Sequence, residues 1–435
     1  MAQIYPRRRA RVPGLDLSHL PSQTGAATEH TMPGVQSIGL DVNQQASEVN
    51  EGFDALAEVV RPTLRACLAL LVTCVCACGG GGGPSGGSTG NNNPPPPPTS
   101  ATLLAVTNST TGTIDVFSID TKTGAPTPIA GDPLPDGPTP SAVAIDPQKR
   151  FLYVTTSSGE VRGYSIDPSS LNLTSIAGSP FATSAQSVAI AVDPSGQFVL
   201  TANGSTNTVS VFKIGSTGAL VEVVGSPFAA GPNTSAIVVA AGKYVYAANT
   251  AGSSVSAYSM DMTSGALTPV AGTPFATRGS PNGLVVDHTA THLYTAESQP
   301  NEVSGFSIDS STGALTAIPG SPFSASYPIH SPVMDAEGKR LHVANGTDVD
   351  CFLVDASSSA LTEIGLSHTN GRAVALALDG PDNFLYALDN VHNQIEVFSI
   401  DPTDGSLTLI TGSPFALFSG AGSESLGPNA ISVQH

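Results

Sequence analysis

Hydrophobic and polar residues along this chain come in short bursts, each closed by a turn signal. Residues 186 to 228 show the pattern. An apolar run over 187–192 stops at the turn Asp193-Pro-Ser-Gly196. A second apolar run over 198–202 stops at Asn203, and Gly204-Ser-Thr-Asn207 turns the chain again. Thr208-Val-Ser-Val-Phe212 alternates with period two, Ser216-Thr-Gly218 turns, and Leu220-Val-Glu-Val-Val224 alternates in its turn. Period-two alternation over four to eight residues predicts strands. Pro and Asp set the turns, and Gly supplies positive φ. No apolar stripe of period 3.6 is long enough to predict a helix.

The unit recurs. Gly225-Ser-Pro-Phe228, which leads from one unit to the next, appears also as Gly178-Ser-Pro-Phe181, Gly272-Thr-Pro-Phe275, Gly320-Ser-Pro-Phe323 and Gly412-Ser-Pro-Phe415, with a worn copy at Gly131-Asp-Pro-Leu134. The copies starting at 131, 178, 225, 272 and 320 are 47 or 48 residues apart, and the step to 412 spans two periods with one copy erased. Four short strands at such a period are one blade of a propeller. The third-strand ends count seven blades: Ile119-Asp120, Ile166-Asp167, Ile214-Gly215, Met260-Asp261, Ile308-Asp309, Val354-Asp355 and Ile400-Asp401. The expected fold is therefore all-β, a seven-bladed β-propeller with four-stranded blades over residues 101–435. The first blade, starting near Leu103, has three strands. The tail Pro428-Asn-Ala-Ile-Ser-Val433 is expected to supply the missing one and close the ring, which removes free edges. Phe117, Tyr164, Phe212, Tyr258, Phe306, Phe352 and Phe398 are expected to pack between neighbouring blades.

The segment before the ring has a different character. Arg61 and Arg65 precede an apolar run over 66–77, too short for the roughly 20 residues that span a bilayer. It fits the core of a signal peptide. Val75-Cys-Ala-Cys78 resembles the lipobox of bacterial lipoproteins, with Cys78 as the lipidated residue. Residues 60–78 are thus expected to be a lipoprotein-type signal, and 1–59 an upstream segment outside the native protein or disordered. Residues 79–100 form a linker: Gly79–Gly83 and the Ser/Asn stretch are flexible, and the five prolines 94–98 make a stiff piece of about 15 Å. The expected location is the bacterial cell envelope, with membrane contact only through a lipid on Cys78. Cys74, Cys76 and Cys78 lack neighbouring ligands in an apolar segment, so no metal site is expected there. Cys351 takes the place of Val211 in its strand and is expected to be a buried thiol.

Charge narrows the partners. The net charge of −18 with 16 Lys+Arg argues against a nucleic-acid partner and disfavours anionic ligands. Without Trp, any stacking platform must be Tyr or Phe. No cofactor is expected, and the expected assembly is a monomer that meets a small molecule or an envelope ligand.

Phe151-Leu-Tyr-Val154, Tyr244-Val-Tyr-Ala-Ala-Asn249 and Ser307-Ile-Asp-Ser-Ser-Thr-Gly-Ala-Leu315 resemble the lactonase-type seven-bladed propellers and the related YVTN repeats, over about residues 101–435. That family includes a 6-phosphogluconolactonase and a carboxymuconate cyclase. The resemblance implies a site at the channel mouth built from Arg, His and a carboxylate. Where a family blade reads Pro-Arg-His and later Asn-Glu, this chain has Pro281-Asn282-Gly283 and Ala296-Glu297. A second blade that would carry His and Asp has Gln186-Ser187 and Asn203. The carboxylate Glu297 matches; the cations a phosphorylated lactone requires do not.

Departures from the repeat point to the same sector. The second strand ends in Asn108, Thr156, Asn203, Asn249, Glu297, Asn345 and Asp389. Asn suits a turn cap, and Glu297 and Asp389 break the series. His330 precedes an inner strand, Arg278 and Arg372 lie nearby, and blade six has Gly365-Leu-Ser-His368 in place of the repeated phrase. Glu297, His330, Arg278, Arg372 and Asp389, from blades five to seven, are the candidate catalytic set for lactone opening, with a general base and an oxyanion-stabilising cation. The principal reading is a binding propeller; the alternative is a lactone hydrolase.

Overall fold

The computed structural model describes residues 102–433 apart from 136, 138, 184–185, 370 and 418–427. The signal, the linker and Cys78 lie outside the described residues. Seven antiparallel sheets follow one another along the chain. In blade three the inner strand Ala189–Val192 pairs with Phe198–Asn203, which pairs with Thr208–Ile214, which pairs with Leu220–Glu222. The tail strand Pro428–Val433 pairs antiparallel with Thr102–Asn108 and completes blade one, closing the ring as expected.

The repeated phrase has a different place from the one expected. It does not lead away from the blade but breaks the outer strand in two. Phe228–Ala229 returns to pair with Thr208 and Val209 on the strand that Leu220–Glu222 already borders. Proline lacks the N–H that a continuous ladder needs. The residue before it compensates by accepting the third-strand N–H exposed at the break: Ser226 Oγ accepts from Val211 N at 3.0 Å, and Ser179, Thr273, Ser321 and Ser413 do the same in their blades. The worn copy conserves the function, since Asp132 Oδ1 accepts from Val116 N at 2.6 Å. Blade six, without the proline, has one unbroken outer strand, Leu361–His368, paired along the whole of Asp348–Val354 with a single bulge.

The core is distributed over seven seams, one between each pair of neighbouring blades. The seven expected aromatics are all buried, one per seam. Each such ring contributes about 1.5–3 kcal/mol. A second interlock was not foreseen. The first residue of a second strand lies on the left-handed residue of the next blade's third-to-outer turn. A Cβ on Gly218, at φ +86°, would meet the Phe151 ring at 2.7 Å. Phe198 covers Gly265, Tyr244 covers Gly313, Phe384 covers Gly124 and Arg340 covers Gly405 in the same way. Two residues further on, Tyr153, Tyr246, Tyr294 and Tyr386 donate their hydroxyls to carbonyls of the same turns, those of Gly218, Gly313, Ser359 and Gly124, at 2.8–3.0 Å.

In blade six this tyrosine position is His342, fully buried with no partner for either ring nitrogen. Burial, with a smaller contribution from the Arg340 charge, lowers its pKa from 6.5 to about 4. The unfolded chain binds the proton near pH 6.5 and the folded one near 4. Stability is therefore complete above pH 6.5 and falls as the pH drops through that window, by about 3 kcal/mol for this group. His342→Tyr is expected to flatten this decline; denaturant titrations of both proteins at pH 7.5 and pH 4.5 measure it, with the gap between them larger at pH 4.5. Gly218→Ala is expected to cost about 2–4 kcal/mol, from the positive φ and the overlap with Phe151 and Ile176, read as a lower urea midpoint.

Candidate functional site

Because neighbouring strands alternate in direction, the ring has two chemically different ends. One end carries the Asp-headed turns, such as Asp193, whose carboxylate accepts from the N–H groups of Ser195, Gln197 and Phe198. The other carries the hairpins between second and third strands and the crossings from one blade to the next inner strand. Glu297, His330, Arg278, Arg372 and Asp389 all lie at this second end, in blades five, six and seven.

The second-strand terminus is a capping position. Asn249 Oδ1 accepts from Gly231 N, in the crossing that precedes its own blade's inner strand, at 3.0 Å. Glu297 and Asp389 make the same bond with a carboxylate, to Gly279 N at 2.6 Å and to Arg372 N at 3.0 Å. Glu297 is fully buried and also accepts from Thr295 Oγ1 at 3.0 Å. Burial raises its pKa against the lowering effect of these hydrogen bonds. Its carboxylate is thus committed to holding the 277–280 crossing. Arg278, in that crossing, is mostly exposed and pairs with the buried Glu302 at 3.3 Å.

Asp389 does more. Its Oδ1 accepts from the N–H groups of Arg372, Val391 and His392, and its Oδ2 accepts from Gln394 Nε2 at 2.9 Å and lies 2.7 Å from His392 Nδ1. Burial pushes its pKa up, but the bonds from His392 and the three N–H groups outweigh it, and the carboxyl is held below the usual range. An ionised carboxylate only accepts, so His392 Nδ1 carries a proton toward it, and in the neutral tautomer this leaves the lone pair on Nε2. His392 is half-exposed in the hairpin that follows the second strand of blade seven. The sequence reading missed it, although the Asp-x-x-His spacing within one hairpin, Asp389 to His392, is a signal for such a dyad.

His330 sits half-buried at the start of its inner strand, with Nδ1 2.6 Å from Asn282 Nδ2 of the preceding blade. The two residues are 48 apart, one repeat, which is why they occupy equivalent tiers of adjacent blades. Burial first and the Arg372 charge second lower the His330 pKa below 6.5, so the ring is neutral at pH 7. With the Asn282 amide as oriented, Nδ1 accepts and Nε2–H is free to donate. The same tier continues around the channel wall: Ser141 Oγ donates to Ser187 O at 2.7 Å and Ser235 Oγ to Pro281 O at 3.2 Å, each onto the next blade. The structure thus links His330, Arg372 and Asp389 through direct bonds or field. Glu297 and Arg278 form a separate group in blade five. Among the described residues, no group of three or more His, Cys, Asp or Glu is placed to hold a metal ion.

The family model described as lactonase, 7-bladed beta-propeller, matches residues 101–234 and 221–334. No curated protein matches the chain. Among solved structures, a Bacteroides uniformis protein provisionally described as a 6-phosphogluconolactonase is 19% identical over 77% of this chain and 99% of its own, with a TM-score of 0.67. A periplasmic gluconolactonase from Pseudomonas aeruginosa is 19% identical over 77% and 99%, with a TM-score of 0.65. At such identities these structures establish the shared fold.

The capping role of Glu297 is testable without substrate. Glu297→Leu is expected to lower stability by about 1–3 kcal/mol, because Gly279 N–H loses its buried acceptor. Chemical denaturation measures it, with unchanged stability as the contrary result.

Proposed function

This chain belongs to the lactonase family of seven-bladed β-propellers, and from that premise we propose that it is a hydrolase opening a small, unphosphorylated lactone at the mouth formed by blades five to seven. The observation that carries the reading is the Asp389–His392 pair at 2.7 Å, at the same end of the ring as His330 and Arg372. Asp389 fixes the His392 tautomer and stabilises the imidazolium that forms when Nε2 takes a proton.

The chemistry follows from these groups. A lactone enters the mouth with its carbonyl oxygen toward His330 Nε2–H and the Arg372 guanidinium. His392 Nε2 removes a proton from a water, whose oxygen bonds to the carbonyl carbon. The negative charge that gathers on the carbonyl oxygen is met by the His330 and Arg372 donors, which act most strongly where water is excluded. Collapse of the intermediate breaks the ring C–O bond, and His392 returns its proton to the leaving alkoxide. The product is a hydroxy acid. Glu297, capped onto Gly279, positions the crossing that leads to Asn282. A phosphorylated substrate fits poorly: Arg278 is neutralised by Glu302, and Asn282 and Gly283 stand where the family resemblance would place cations.

The signal-like segment 60–78, with Cys78 as its anchor, supports an envelope location. The periplasmic description of the Pseudomonas aeruginosa structure is consistent with that reading. The second reading, a propeller that binds without turnover, is favoured by the same loss of cations at Asn282 and Gly283.

The test is lactone hydrolysis by the purified protein on a panel of unphosphorylated sugar and aliphatic lactones. His392→Gln is expected to lower kcat by roughly 10²–10⁴-fold with the fold intact. Turnover that survives this substitution removes the dyad from the mechanism. No turnover on any panel member leaves the binding reading.

A further inference from the structure

Blade six differs from the other blades at its outer edge, and the difference has two parts. The first is the unbroken strand Leu361–His368, which ends its sheet. In the other blades a Gly-x-Pro corner interrupts the outer strand. The second is a groove of about 590 Å³ at the seam with blade seven, lined by Cys351, Leu353, Ile364, Gly365, Thr403 and Asp404 among others. Local sequence explains the groove. Cys351 and Gly365 stand opposite each other across the sheet, on one face, and both are small. Gly365 ends the row without a side chain, and a Cβ there would meet nothing within 4 Å.

We propose that this edge and groove receive an extended, basic polypeptide segment, which adds a strand to blade six. An outer strand has N–H and C=O groups pointing away from its sheet, and such a row pairs with another strand of any sequence. Residues 362–365 are exposed without interruption. The groove beside Gly365 takes one apolar side chain of the incoming strand, against the half-exposed Leu353 and Ile364. Charge selects the partner's sign. Glu363 lies on the edge strand itself and Asp404 lines the groove, and the chain as a whole carries −18. A segment alternating apolar and Lys or Arg residues matches both faces. The opposing reading is that Glu363 and the bulge merely protect an unused edge, as charges and bulges do in many sheets. The groove is what that reading leaves unexplained. The proposal is independent of any lactone chemistry, since the edge lies at the rim and the candidate site at the channel mouth.

The experiment uses the full-length protein and a fluorescein-labelled octapeptide of alternating valine and lysine, read by fluorescence anisotropy at low salt. Expected are saturable binding, at least a tenfold loss with Gly365→Val, which fills the groove from an ordinary backbone conformation, and a similar loss with Asp404→Lys. Circular dichroism checks the fold of each variant. Bound peptide should also slow modification of Cys351 by methyl methanethiosulfonate at least threefold, followed by mass spectrometry of the peptide that contains it. An octapeptide alternating proline and lysine should bind at least tenfold more weakly, because it lacks the N–H groups for a ladder. Equal binding of the proline peptide, equal binding by folded Gly365→Val and Asp404→Lys, or no binding overturns the proposal. Self-association of the free protein that Gly365→Val abolishes overturns it in favour of a second copy as occupant.

Discussion

Every blade of this protein is a sheet with two apolar faces and no means of burying either alone. The seven seams are the answer, and six of them show one recurring contact. A side chain at the start of a second strand lies on a left-handed residue of the next blade's turn, and where the following tyrosine is present its hydroxyl holds that turn's carbonyl. Glycine at the covered position serves two needs at once, since φ near +80° disfavours a Cβ and the overlying ring leaves no room for one. The contact is directional, from each blade to the next, so it has no natural end. The tail strand 428–433 satisfies the last seam by entering blade one. The ring therefore depends on its two termini meeting, and stability is shared between neighbours as in other repeat architectures.

Where the lock is altered, the surface changes with it. Blade five uses His292 against Ser359, joined at 3.0 Å, in place of a ring on glycine. Blade six uses Arg340, whose guanidinium also donates to Pro402 O at 2.9 Å. In blade six the tyrosine has become a histidine, the outer corner is lost and a groove opens. These changes cluster in the same sector that carries the polar mouth residues. The mouth and the rim of blades five to seven are thus the parts of the molecule least bound to the repeat, while the seams beneath them are held by the rest of the ring.

Much of this was legible in the chain. Period and turn chemistry gave the blade count and closure, because each strand is short, alternating and punctuated by residues with restricted φ. The aromatic seam residues followed from their fixed place in the repeat. The repeated Gly-Ser-Pro-Phe phrase was visible but its job was not. That the serine before the proline would accept an N–H from the third strand depends on a pairing 15 residues away, which no local pattern reveals. In the candidate site, Glu297 and Asp389 stood out as breaks in a series of asparagines. Whether such a carboxylate faces solvent or caps a turn depends on where the crossing from the previous blade passes.

The sequence alone determined the all-β class, the seven units, the closing strand and the sector in which the repeat is broken. These are properties of period, and period is written along the chain. Only the tertiary structure decided which polar groups meet. Asn282 reaches His330 because equivalent positions one repeat apart become neighbours on the channel wall. His392 reaches Asp389 because a hairpin folds it back. Glu297 is withdrawn from the mouth because the crossing at Gly279 needs its oxygen. Hydrogen-bond partners are set by distances of about 3 Å in space, and those distances exist only after the ring has closed.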